Sequence, residues 1–335
     1  MRCASISRIA RTLLLVVIPA LALLVAIALG GTALGPQALA DALAHPQRGG
    51  DAQTIVWALR FPRACIAALV GASLAIAGAL LQGLLRNPLV DPYLTGVSAG
   101  AGAAIAIGVT AGIALPFVPA LGFVAGLGSA IVVAVLGRRG GRLDAERLIL
   151  AGVSLSALFA AIVALVLTRM TRGAASEQIL AWLAGSVSGR GWNELAWSAP
   201  YAAAGLALAL AIVPSLAVMR LGDIRAAALG VDVARTQWLV LAAASLLTAA
   251  AVALAGVVGF VGLIVPHVAR KLAGVHPAGA LPAAASLGAA FVILADTASR
   301  TLFAPAEAPL GVLLAFVGVP VFMLLYLRGP RTVRE

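Results

Sequence analysis

The sequence predicts an all-α, polytopic membrane protein with about ten transmembrane helices, and three observations carry that prediction. Apolar residues make up 62% of the 335 and charged residues only 10%, giving a mean hydropathy of +1.09; a soluble chain of this length needs far more polar surface. The charges gather in short islands. Between the islands run apolar stretches of about twenty residues, the length a helix needs to cross a bilayer. A barrel strand needs about half that length and alternates in polarity, and these runs do not alternate.

In order, the apolar runs cover residues 12–32, 64–85, 93–112, 115–137, 147–167, 195–213, 238–258, 259–273, 280–298 and 310–327. The first follows a basic start, Arg2, Arg8 and Arg11. It is long for a secretion signal and no convincing cleavage site follows it, so it reads as a retained span. The eighth is short, interrupted by Pro266 and closed by Arg270 and Lys271, which predicts a bent or partly re-entrant helix. The ninth holds Asp296, four residues before Arg300, a spacing that predicts a local pair near the outer end. Small residues at four-residue spacing, as in Gly71-Ala72-Ser73-Leu74-Ala75 and around Gly122 and Gly126, give faces on which helix backbones approach closely.

If the amino terminus is cytoplasmic, sixteen of the 23 basic residues fall in inner islands and seven in outer ones. That satisfies the positive-inside bias and places both termini in the cytoplasm, with residues 1–335 forming one transmembrane domain. The formal charge of +11 is scattered over many loops with no aromatic interleaving, so anionic headgroups and protein partners are expected and nucleic acid is not. Cys3 and Cys65 fall on opposite sides of the membrane, which excludes a bond between them.

Two loops exceed what helix hairpins require: an outer one around residues 33–61 and an inner one around 214–237. The inner loop contains Leu221, Gly222, Asp223, Ile224, Arg225, Ala226, Ala227, Ala228, Leu229 and Gly230. Asp223 suits a helix N-cap and Gly230 a left-handed C-cap, so a short cytoplasmic helix carried on a loop is expected, as a docking knob or a plain connector.

No catalytic residue is expected. Gly96-Val97-Ser98-Ala99-Gly100 matches the nucleophile-elbow pattern, but no strand precedes it and its only bases would be His45, His267 and His276. No metal-ligand cluster, cofactor motif or phosphate-binding glycine loop is present, and the single lysine, Lys271, lacks a glycine-rich lead-in. ATP, if it drives this chain, binds another subunit. The rival class is a proton-coupled carrier, for which Asp296 is the deepest ionisable candidate.

Several strings resemble, in order, the permeases of the iron-siderophore, haem and vitamin B12 ABC importers. They are Arg60-Phe61-Pro62-Arg63; Gly71 to Ala75 with Gly78 and Gln82; Arg86-Asn87-Pro88-Leu89-Val90-Asp91-Pro92; Gly259 to Arg270; Asp296 with Arg300; Glu307-Ala308-Pro309-Leu310-Gly311; and Gly318-Val319-Pro320-Val321-Phe322. The resemblance implies a ten-helix permease of the bacterial inner membrane that pairs with a second permease subunit, alike or related. It also implies two ATPase subunits inside and a periplasmic substrate-binding protein outside. By the same resemblance Arg60, Arg63 and Arg300 receive acidic residues of the binding protein, and Leu221, Gly222, Asp223, Arg225, Ala228, Leu229 and Gly230 belong to the helix that seats in the ATPase. Ser154 and Ser156 in the fifth span, and Trp182, Gly185 and Ser186 in the connection after it, are the expected pathway or gate. That connection looks most like siderophore members, with haem and cobalamin left open.

Overall fold

The computed structural model describes residues 8–114, 117–170, 173–304 and 306–327. Both termini, and with them Arg2, Cys3, Arg328, Arg331 and Arg334, lie outside the described residues, as does Arg172. The helices are α1 (Arg8–Ala28), α2 (Pro36–Ala44), α3 (Asp51–Gln53), α4 (Phe61–Leu84), α5 (Val97–Thr110), α6 (Val118–Leu136), α7 (Ala145–Arg169), α8 (Ala174–Ala184), α9 (Trp192–Ala211), α10 (Val213–Met219), α11 (Asp223–Ala228), α12 (Val233–Ala255), α13 (Val261–Ala273), α14 (Pro277–Thr301) and α15 (Leu310–Leu327). The ten apolar runs become, in order, α1, α4, α5, α6, α7, α9, α12, α13, α14 and α15. A two-residue hairpin, β1 (Arg138–Arg139) with β2 (Arg142–Leu143), links α6 to α7. Every other regular element among the described residues is helical.

Buried α4 and α12 form the centre, and α14, α13, α9, α1 and α5 pack around them. Missing side chains make this closeness possible. A Cβ on Gly71 would lie 2.0 Å from the carbonyl oxygen of Gly288 in α14, and one on Gly78 would lie 1.9 Å from that of Gly262 in α13. Backbones this near gain dispersion contact that lipid chains cannot supply. Aspartates begin two of the spans: Asp144 accepts from the backbone N–H of Arg147 ahead of α7, and Asp232 from that of Arg235 ahead of α12, each at 3.0 Å.

Three sequence expectations change. The second span starts well before residue 64: a π-helical stretch, Thr54–Arg60, joins α3 to α4 in one helix over Asp51–Leu84, so much of the expected outer loop is helical. Arg60 and Arg63 interrupt the apolar run but not the helix, because both charges are satisfied inside the protein. The eighth span is not broken at Pro266. Its break precedes it, over residues 256–260, where Phe260 takes φ +67° before α13 begins. Pro266 lacks the N–H that would bond the carbonyl of Gly262, and the amide of Gln82 on α4 donates to that oxygen at 3.1 Å instead. The same repair occurs in α1, where Pro19 frees the carbonyl of Leu15 and the Ser286 hydroxyl donates to it at 2.6 Å. Finally, the sixth span bends by 51° between α9 and α10, ahead of Pro214.

Candidate functional site

At one end of the bundle, arginines and acids from distant segments form a single network. Arg63 donates to Asp296 through Nε (2.9 and 3.1 Å) and Nη2 (2.8 Å), and to Glu307 through Nη1 (2.9 Å) and Nη2 (3.0 Å). The Asp296 side chain is 3% exposed and that of Arg63 13%. The expected local pair is therefore secondary: Arg300 Nε stands 3.7 Å from Asp296, and the main partner comes from α4. Sequence spacing along one helix cannot show a partner on another.

Arg60 and Arg300 also serve the end of α1. Its last carbonyls have no intrahelical donors. Arg60 donates to those of Ile27 (2.6 Å) and Ala28 (3.0 Å) and, beyond the helix, to that of Thr32 (2.5 Å), and Arg300 donates to that of Ala26 (2.5 Å). Cations at a helix C-terminus also complement its dipole. Of the three arginines, Arg63 lies nearest the rim, beside Glu307 in the loop before α15. Hydrogen bonds from Arg63 are the main cause that holds the Glu307 carboxyl below its usual acidity range, partial burial opposing them.

The five expected pathway residues fall in two places. Ser154 is exposed and Ser156 half-buried on α7, a helix whose apolar window is 6% buried. A cavity of about 390 Å³ separates α7 from α5, with Ser98, Gly102, Ala160 and Leu183 in its wall. Trp182 closes α8, is 8% exposed, and its indole N–H has no partner. Gly185 follows at φ +73°, pressed against the backbone of Val257. The Ser186 N–H bonds the carbonyl of Ala255 at 2.8 Å. Trp182 and Ser186 line a second cavity, of about 370 Å³, with Gln178, Ser188 and Arg190. Burial moves the Arg190 guanidinium below its ordinary range, and Glu194 opposes the shift.

The opposite end carries α11. Gly222, at φ +105°, occupies the N-cap position and makes no side-chain cap, so Asp223 is the first helical residue and not the cap the sequence suggested. Its carboxylate is occupied elsewhere, in an ion pair with Arg86 from the end of α4. Gly230 does close the helix, at φ +84°. Its N–H bonds the carbonyl of Ala227 and that of Val231 bonds Ala226, each at 3.0 Å, the two bonds of a Schellman cap. The knob so formed presents apolar surface: Ile224 is 87% exposed, Leu229 65% and Leu221 54%. Arg225 and Ala228 are exposed beside them.

Gln82 and Glu307 stood inside motifs without a role until the fold placed them. Pro266 announces a free carbonyl four residues earlier, but no local pattern names its donor.

The FecCD transport family model matches residues 15–328. The cobalamin import system permease protein BtuC of Halobacterium salinarum is 40% identical over 305 residues, covering 89% of this chain and 80% of that protein. The hemin transport system permease protein HmuU of Yersinia pestis is 37% identical over 316 residues, covering 92% and 94%. A solved ABC transporter described as of metal-chelate type, in an inward-facing conformation, superposes with a TM-score of 0.82 at 31% identity, covering 96% of this chain and 98% of that one.

Proposed function

The chain belongs to the FecCD transport family and is the multi-pass permease of an ABC importer, a transport subunit and not an enzyme; from that premise we propose that it carries a ferric siderophore inward across the bacterial inner membrane. Two separate ATPase subunits power it, a periplasmic binding protein feeds it, and a second permease copy or related chain completes the pathway. The observation that carries this reading is the pairing of an apolar span buried over only 6% of its window, α7, with an exposed apolar knob, α11. An uncovered helix of this length suits a wall shared with a second permease, and the knob suits an ATPase groove. Residues 214–237 are then the coupling loop.

Closure of the ATPases presses on Leu221, Ile224 and Leu229. The Arg86–Asp223 pair relays that push to α4, and the helices rock between two packings that open to opposite sides. Both termini lie on this inner side. At the outer end an acidic residue of the binding protein exchanges with Glu307 for Arg63, while Arg60 and Arg300 hold the rim through α1. Such pairing steers encounter and fixes register more than it adds affinity. Ser154 and Ser156 face the pathway, and Trp182, Gly185 and Ser186 form its outer gate. A chelate held by its own ligands needs only small and hydroxyl side chains along this route. Relatives named for haem and cobalamin keep those cargoes as the second reading.

The test is uptake in vesicles containing the permease, its ATPase and its binding protein, offered a ferric siderophore, haem or cobalamin. Preferential ATP-dependent uptake of the siderophore supports the proposal, and preference for either other cargo refutes the substrate. Gly230→Pro and Arg225→Glu should each lower the rate with membrane insertion intact. Unchanged rates in both remove α11 from the mechanism, and accumulation without the ATPase favours a proton-coupled carrier.

A further inference from the structure

At the same end as α11, a cavity of about 340 Å³ opens between α4, α10, α13 and α14. Its volume is that of on the order of ten liquid waters. Three arginines line it, Arg86, Arg220 and Arg270, and no aspartate or glutamate among the described residues does. Arg86 gives one guanidinium nitrogen, Nη2, to the carbonyl of Met219 and to Asp223. Arg220 gives Nη1 to the carbonyl of Val275. Arg270 is half-buried on α13 and enters no ion pair among those of the described residues. A guanidinium offers five donors, so most of the donor capacity around this cavity is unspent.

Arg86 sits at φ +50°, directly after the α4 C-cap Leu85. Glycine is the usual residue in that left-handed position, and a side chain there is strained. The backbone holds the arginine in place, with its guanidinium between the cavity and α11. Gln82 also lines the cavity and is nine-tenths buried. Its amide nitrogen is committed to the carbonyls of Val90, Gly262 and Leu263, while its Oε1 has no donor. The wall is therefore cationic, and no carboxylate on it neutralises Arg220 or Arg270 among the described residues.

We propose that this cavity binds a phosphoryl oxyanion, with Arg220 and Arg270 holding the charge. Two sources share that chemistry: the headgroup of a phosphatidylglycerol lipid, and free hydrogenphosphate. Either would tie α13 and the α10–α11 junction to the end of α4, beside the Arg86–Asp223 pair, and so fix the posture of the knob. Basic pockets between transmembrane helices take anionic headgroups in this manner.

The test uses the full chain alone, without ATPase, binding protein or cargo, so its failure leaves the transport reading untouched. Wild type, Arg220→Gln/Arg270→Gln and Arg270→Lys are placed in nanodiscs of phosphatidylcholine, of equal parts phosphatidylcholine and phosphatidylglycerol, and of phosphatidylcholine with added inorganic phosphate. Thermal unfolding midpoints and the lipid retained in native mass spectra are read. Phosphatidylglycerol should raise the wild-type midpoint and be retained roughly tenfold over phosphatidylcholine, the double variant should lose both effects, and Arg270→Lys should keep part of them. A midpoint raised by inorganic phosphate alone, and lost in the double variant, assigns the site to the free anion. Equal midpoints in all three media, or a shift that survives in the double variant, overturns the proposal. If the double variant does not fold, Arg270→Gln alone is judged by the same criteria.

Discussion

Two helices of nearly equal hydropathy have opposite fates. The span containing α4 has a mean hydropathy of 2.3 and is 72% buried over its apolar window; α7 reaches 2.6 and is 6% buried. Hydropathy finds a span but does not place it. What separates the two is small residues and polar hooks: α4 carries Gly71 and Gly78 at backbone crossings, Gln82 on the α13 carbonyls and Arg63 in the charge network. The α7 helix touches the bundle closely at Gly152, where a Cβ would lie 1.7 Å from the carbonyl of Leu94. One helix is scaffold, and the other leaves most of its apolar surface uncovered.

The largest break in that contrast comes from Arg63→Met. It leaves the buried Asp296 carboxylate with no hydrogen-bonded cation and only Arg300 at 3.7 Å, and should cost about 3 kcal/mol, read as a lowered unfolding midpoint in detergent. Adding Asp296→Asn should recover most of the loss. Stability equal to the parent in Arg63→Met would mean the network does not hold α4 to α14.

Next comes the hook on α13. Gln82→Met leaves the Gly262 carbonyl buried without a donor, at a cost of about 1–3 kcal/mol. Pro266→Ala restores a backbone N–H four residues on, so Gln82→Met should cost markedly less in that background. An equal cost in both backgrounds would show that Gln82 matters for some other contact.

These two sites mark where the sequence was legible. The spans could be read because lipid imposes one length and one polarity on every crossing segment. Gly71, Gly78, Gln82, Asp296 and Glu307 were visible as motif members, but not which helix each one meets, because sequence distance carries no information about a neighbour 180 or 233 residues away. The short helix at 223–228 and its Gly230 cap were readable from local chemistry. The N-cap was not, since Arg86 drew Asp223 into an ion pair from outside the local window. Helical Asp51–Arg60 escaped for a related reason: Arg60 reads as a loop charge until α1 supplies the carbonyls that satisfy it.

A smaller effect lies in the turn after α4. Asp91 accepts from the backbone N–H of Tyr93 at 2.9 Å, and burial pushes its carboxyl up from 3.8 to about 6 despite that bond. Its pKa is raised in the folded chain, so its contribution to stability is full below about pH 4 and is lost as pH rises through 6. At pH 7 the fold carries an ionised, half-buried acid. Asp91→Asn keeps the acceptor and sheds the charge, and should gain about 1 kcal/mol at pH 7 while flattening the stability profile between pH 4 and 7. An unaltered profile would mean that Asp91 is well solvated.

The smallest stability effect is expected on α7, and it sharpens the comparison most. Leu158 is 56% exposed, so Leu158→Ala should change unfolding of the single chain by about 0.5 kcal/mol or less. Leu74→Ala, at the fully packed centre of α4, should cost about 2–5 kcal/mol. A large cost at Leu158 would show that this face is already covered. What covers it in the membrane is decided by solvent. With Cys3 and Cys65 replaced by serine, Ser154→Cys should react with a water-soluble maleimide if that side of α7 borders an aqueous pathway, because a thiol must ionise in water to attack. Lipid against the same face would leave it unreactive, and α7 would then be an outer helix with the pathway elsewhere. The apolar Leu158→Cys, one turn further along the same face, extends the reading: labelling of both means that this stripe of α7 is wet along its length, and labelling of Ser154→Cys alone confines water to the stretch near Ser154.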